Sequence, residues 1–174
     1  MSGHSKWSTI RHQKASEDAK RSASFTKIAK KIHIAVKNGN SGDQNANPFL
    51  RTAIDEARSV NMPNDNIKRA IEKALGAGGA DMAEEVIYEA YGPSGVGFMI
   101  TVVTDNRNRT AAEIHSILNR HDAKLGGPGS VSYMKSITPL PTITPAEEDR
   151  GKIESLLEAL SENDDVIDTW TNLA

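Results

Sequence analysis

"LGAGGADMAEE", Leu75 to Glu85, divides this chain. Three glycines within four residues (Gly76, Gly78, Gly79) leave the backbone little local preference, so the stretch reads as a linker or hinge. Before it, apolar residues recur at helical spacing. After it, they alternate as in strands. The expected fold is therefore α+β. A basic N-terminal three-helix domain over residues 1–77 precedes an acidic ββαβαβ domain over residues 78–174, with helices on one face of a mainly antiparallel sheet.

Charge reverses across the same stretch. Residues 1–73 hold 14 Lys+Arg against 7 Asp+Glu, whereas residues 74–174 hold 7 against 16. The formal net charge of -2 hides this split. The whole N-terminal excess lies in residues 1–37, with 9 basic and 2 acidic side chains. Such asymmetry fits a polyanion-binding module joined to a module with another task.

Three helices are expected before the linker. In "SFTKIAKKIHIAVKNG" the stripe is Phe25, Ile28, Ala29, Ile32, Ala35 and Val36, with Ser24 as cap and Gly39 as stop. "NPFLRTAIDEARSVN" places Leu50, Ala53, Ile54 and Ala57 on one face, with Asn47-Pro48 opening the helix. "MPNDNIKRAIEKALG" repeats the pattern with Ile67, Ala70, Ile71 and Ala74, and Gly76 ends it. The stripes are narrow and alanine-rich, so the core is thin.

Beyond the linker, "EVIYEAYGPSGVGFMITVVTDN" predicts two strands joined at Gly92–Gly95. A helix over 109–121 follows, packing partly through Ala112, Ile114, His115, Ile117 and Leu118, with Asp105 and Asn108 as turn and cap residues. "GSVSYMKSI" predicts a third strand, residues 136–145 a proline-rich spacer, residues 146–161 a second helix, and "DVIDTWTNL" a last strand.

Several function classes lack support. There is no cysteine, which removes disulfides, thiolate metal sites and cysteine nucleophiles and suits a cytoplasmic protein. No apolar run is long enough to span a bilayer, and the start lacks a signal-peptide core. No metal site, cofactor, catalytic residue or small-molecule substrate is expected. The histidines lack paired ligand spacing, His33 and His115 reading as packed beside helical stripes, and a Ser-Gly-His terminus exposed by loss of Met1 would chelate Cu(II) or Ni(II) only incidentally. No nucleophile elbow is marked. "GGPGSV" at 126–131 offers backbone amides, yet lacks the Lys-Ser/Thr and following helix of a phosphate-binding loop, and reads as a turn.

The positive expectation is nucleic acid. "MSGHSKWSTIRHQK" sets Lys6, Arg11 and Lys14 around Trp7 and His12, a cationic arm with one flat ring for a base or sugar. Lys20, Arg21, Lys27, Lys30 and Lys31 continue it. In the acidic domain, Arg107 and Arg109 of "TDNRNRTAAEIH" either hold phosphates together or pair with carboxylates such as Asp105 or Glu113. DNA and RNA stay equally open at this point.

Eight stretches in order carry a family likeness: "GHSKW" (3–7), "KASEDAKR" (14–21), "FTK" (25–27), "NPFLRTAIDEA" (47–57), "NMPNDNIKRAI" (61–71), "YEAYGPSG" (88–95), "TDNRNRTAAE" (104–113) and "GGPGSVSYM" (126–134). Together they resemble the YebC-type family of transcriptional regulators, whose mitochondrial members are translational activators. The likeness covers residues 1–134 and returns weakly over 153–172. It implies a basic helical domain followed by α/β domains, nucleic-acid binding and no catalytic residues. The role is either a DNA-binding regulator or a ribosome-associated factor, binding ribosomal or transfer RNA. The arm residues, the helix lysines, Arg107 and Arg109 match the family's motifs. Members usually carry a further α/β domain where this chain has only the proline spacer.

Overall fold

The computed structural model describes residues 3–76 and 83–174, with side chains in the first helix described from residue 17 onward. The proposed hinge at Gly76–Gly79 lies, apart from Gly76, outside the described residues. The chain forms two compact units, Met1–Ala77 and Gly78–Ala174.

In the first unit, α1 runs without a break from Gly3 to Gly39, 37 residues or about 55 Å. This corrects the expected start at Ser24, which lies inside the helix: nothing between Gly3 and Ser24 breaks a helix, and Ala, Lys, Arg, Gln and Glu are good formers. The basic arm is thus the helix's own N-terminal half. Helix α2 (Pro48–Ser59) and helix α3 (Asn64–Ala74) are only 12 and 11 residues long. Among the described residues they cover the C-terminal part of α1, where Ile28, Ile32, Ala35 and Val36 are buried against Leu50, Ala53, Ile54, Ala57, Met62 and Ile67. Residues 17–22 of α1 stay exposed.

Three of these ten core residues are alanine, so apolar burial alone holds α1 weakly. A buried amide reinforces it. Asn47, fully buried, caps α2 by accepting from the Leu50 N–H (3.1 Å) and donates through Nδ2 to Ala35 O (2.8 Å) and Ser41 O (2.9 Å). One side chain starts α2, closes the loop and ties both to α1. Gly39 is required by the same packing, because a Cβ there would lie 2.1 Å from Asn47 Nδ2.

The second unit contains an antiparallel sheet of order β3-β1-β2-β4. Strands β1 (Glu84–Tyr91) and β2 (Gly97–Thr104) pair along their full length around the turn at Pro93–Gly95, as expected. Strand β4 (Val166–Thr171) lies on the far edge of β2. Phe98, Ile100 and Val102 point from β2 into a core closed by Ile114, Ile117 and Leu118 of α4 (Arg107–Arg120) and Ile153, Leu156 and Leu160 of α5 (Glu147–Glu162).

Three expectations need correction. The third strand is the two-residue β3 (Lys124–Leu125), which precedes the expected "GSVSYMKSI"; Ser132–Ser136 is instead a tight 3-10 turn, because the Val131 and Ser132 amides bind the Glu89 side chain rather than a neighbouring strand. The α4 cap is Asn106, which accepts from Arg109 N, and Asn108 lies within the helix. Ala112 and His115 of α4 are exposed rather than packed.

Replacing Asn47 by Ala is expected to destabilise the first unit by about 3 kcal/mol, since one buried and one half-buried carbonyl and an orphan N–H lose their partner. Urea unfolding followed by helical circular dichroism measures this. A change below about 0.5 kcal/mol would contradict the anchoring role.

Candidate nucleic-acid interface

The twelve residues expected to contact nucleic acid fall into three groups. Lys6, Trp7, Arg11, His12 and Lys14 belong to the helical backbone of α1, and their side chains lie outside the described residues. Lys20 and Arg21 are exposed, and Lys27, Lys30 and Lys31 are half-buried on the same helix. From Lys20 to Lys37, α1 carries six cations and no acid. At 1.5 Å per residue, that is six charges along about 26 Å. Lys31 shares its charge with α2: its Nζ lies 2.5 Å from Glu56 Oε1.

Arg107 and Arg109 form the third group, and they have different surroundings. Both lie in the first turn of α4 rather than in an extended segment. Arg107 is exposed, with its guanidinium 4.0 Å from Glu84. Arg109, also exposed, is paired with carboxylates. It donates to Asp165 Oδ2 (2.9 Å) and Asp105 Oδ1 (3.2 Å), and lies 3.8 Å from Glu113 Oε1. The Asp165 hydrogen bond and charge, then Asp105, push the guanidinium pKa further up. Thr110 Oγ1 also donates to Asp165 Oδ2 (2.6 Å), and Asp165 is buried. The "TDNRNRT" motif thus clasps the start of α4 to the α5–β4 loop, and the arrangement matches the carboxylate-pairing alternative for Arg109.

The "GGPGSV" loop is a turn with an anion already in it. Glu89, buried in the middle of β1, accepts from the N–H groups of Gly129 (2.8 Å), Val131 (2.5 Å) and Ser132 (2.9 Å), and from Ser132 Oγ (3.1 Å). Gly129 sits at φ 87, a backbone shape that glycine adopts without strain. Burial alone would raise the Glu89 pKa, but these four donors outweigh it and hold the carboxyl at about 2. Three convergent amides suit a phosphate; here they hold the chain's own carboxylate.

The sequence reading passes over both organising acids. Glu89 has a faint signal, a charge amid Tyr88, Ala90 and Tyr91 on a strand whose neighbours are buried. Asp165 has none, because its role depends on a loop meeting α4 from 55 residues away. No group of three or more metal-ligating side chains occurs among the described residues.

The fold and these surfaces define a class: an α+β protein whose three-helix unit is built on one long basic helix, joined to a unit with a four-stranded antiparallel sheet. Residues 5–77 match the family model described as TACO1/YebC protein N-terminal domain, and residues 83–136 match TACO1/YebC second and third domain. The chain belongs to the TACO1/YebC family. It is 50% identical over 134 residues to a "Probable transcriptional regulatory protein" of Syntrophomonas wolfei, covering 77% of this chain and 53% of that protein. A protein of the same name from Treponema denticola is 54% identical over 134 residues, covering 77% and 54%. One from Roseiflexus castenholzii is 44% identical over 181 residues, covering 99% and 71%. By the first two matches, the chain spans about half the length of the curated relatives. Among solved structures, a conserved hypothetical protein from Aquifex aeolicus superposes with a TM-score of 0.79 at 30% identity, covering 90% of this chain and 91% of that one.

Two predictions separate architecture from binding. The folded second unit keeps Glu89 ionised to lower pH than the unfolded chain does. Its stabilisation is therefore present above pH 4.5 and is lost as pH falls from there through about 2. Glu89→Gln should remove this acid limb and cost roughly 2–3 kcal/mol at neutral pH, read from unfolding curves between pH 2 and 7. Arg109→Ala should lower the thermal midpoint while leaving nucleic-acid affinity within twofold. Lost affinity with an unchanged midpoint would return Arg109 to the binding surface.

Proposed function

We propose that this chain is a nucleic-acid-binding regulator of gene expression, and a binding protein rather than an enzyme. The observation that carries the reading is α1, one continuous helix of 37 residues that holds 9 basic and 2 acidic side chains. Each Lys or Arg placed against a phosphate releases condensed counterions, so such a helix gains affinity without any sequence readout. The first target is DNA in transcription control, supported by the names of the relatives as probable transcriptional regulatory proteins. The target nucleic acid meets Lys20, Arg21, Lys27, Lys30 and Lys31, together with the Lys6–Lys14 segment carrying Trp7. A cytoplasmic location fits this role, and no described helix is long and apolar enough to cross a membrane.

A second reading has a specific observation behind it. Helices α2 and α3 each lie chiefly against α1 rather than against each other. A helix-turn-helix reader braces its recognition helix on the helix before it. Without that brace, a ribosome-associated translation factor gripping ribosomal or transfer RNA by its backbone uses the same cationic helix equally well.

Crosslinking in cells, followed by sequencing of the attached nucleic acid, separates the two. Promoter-enriched DNA supports the transcriptional role, and ribosomal or transfer RNA the translational one. Recovery of neither removes both. In vitro, the triple change Lys20→Glu, Arg21→Glu and Lys27→Glu should weaken binding to either polymer at least tenfold, with helical circular dichroism unchanged; undiminished binding would overturn the role of α1.

A further inference from the structure

Phe49 is a large apolar side chain outside the core. It is 65% exposed at the start of α2, while the buried cluster of that unit is complete without it. Its position on the helix relates it to the lysines of α1. Phe49 and Glu56 are seven residues apart, two turns, and therefore share one face of α2. Glu56 is the residue that reaches Lys31 of α1. The face of α2 that carries Phe49 therefore borders the face of α1 that carries Lys31. Lys20 and Lys27 precede Lys31 by eleven and four residues, which places all three within about 40° of one another around the helix.

The direction of the row follows from the Asn47 anchor. Asn47, just before α2, binds Ala35 near the C-terminal end of α1, and Glu56, in the last turns of α2, meets Lys31 further back. The two helices run antiparallel. Phe49 therefore lies beyond Lys31, about 10 Å further along the row. One flank of the unit thus presents Lys20, Lys27 and Lys31 in order and then an exposed aromatic ring. Glu56 shares its charge with Lys31 on this flank.

We propose that Phe49 is a stacking platform for an unpaired base of a nucleic acid whose phosphates follow Lys20, Lys27 and Lys31. This rests on the nucleic-acid reading above and sharpens it. A lysine row attracts any phosphate backbone, duplex or single. An exposed ring adds affinity only where a base leaves its stack, and base–aromatic stacking accepts any base. The occupant is single-stranded nucleic acid or an unpaired loop. A hydrophobic protein partner is not what a cationic row beside the ring selects.

The test uses the full chain and a single-stranded oligonucleotide carrying 2-aminopurine, with a duplex of equal length as control. Phe49→Ala should weaken single-strand binding about five- to tenfold and abolish the quenching of 2-aminopurine. Duplex binding should stay within twofold and the thermal midpoint should not change. Phe49→Trp should restore both affinity and quenching. Equal single-strand affinity and quenching in wild type and Phe49→Ala, with binding still lost on Lys20→Glu/Lys27→Glu, would overturn the stacking role and leave the phosphate grip standing. If wild type binds neither oligonucleotide, the nucleic-acid reading itself fails, and the stacking role with it.

Discussion

The buried amide of Asn47 is the interaction on which the three-helix unit depends. A 37-residue helix is held by two helices a third of its length, through a core in which alanine is prominent. Side chains so short contribute little apolar area, so position must be set by something directional. Asn47 does this with both amide hydrogens and its carbonyl engaged at once, and Gly39 leaves it the room. The consequence is functional. The C-terminal part of α1 is fixed in register against α2, and the cations from Lys20 onward are carried on one continuous helix. A helical array loses less backbone conformational entropy on meeting a polyanion than a disordered tail of equal charge.

The second unit treats its charges differently. Glu89 is enclosed by backbone amides, and Arg109 is paired with three carboxylates. Each contact involves a motif that, taken alone, suggests ligand chemistry: a glycine loop for phosphate and paired arginines for an anion. In each case the fold supplies the counter-group itself. These contacts hold the 126–136 segment on β1 and α4 on the α5–β4 loop. The division of labour is electrostatic, with inward pairing in the acidic unit and outward display on the basic helix.

Much of this was legible in the residues. The period-3.6 stripes placed the cores of α2 and α3, and the Asn47-Pro48 pair marked the start of α2, because cap chemistry and helical spacing act over a few residues. The hairpin at Gly92–Gly95 was legible for the same reason. What could not be read depended on distance in the chain. The third strand was misplaced because the fate of "GSVSYM" turns on a carboxylate some 40 residues earlier, whose oxygens capture the amides a strand would use. The length of α1 was missed because a weak cap signal at Ser24 competes with a run of good helix formers, and the run prevails. Phe49 looked like an ordinary helical residue, since only the packing shows that the core does not use it.

The account stands or falls on whether α1 grips phosphates. The direct measurement is the equilibrium binding constant for a fluorescent duplex and for a ribosomal RNA fragment, followed from about 50 to 300 mM salt. A grip made by the cations of α1 predicts log K falling linearly with log salt, with a slope of about -3 or steeper for at least one of the two polymers. Absence of binding at the lowest salt, or an affinity indifferent to salt, would contradict it.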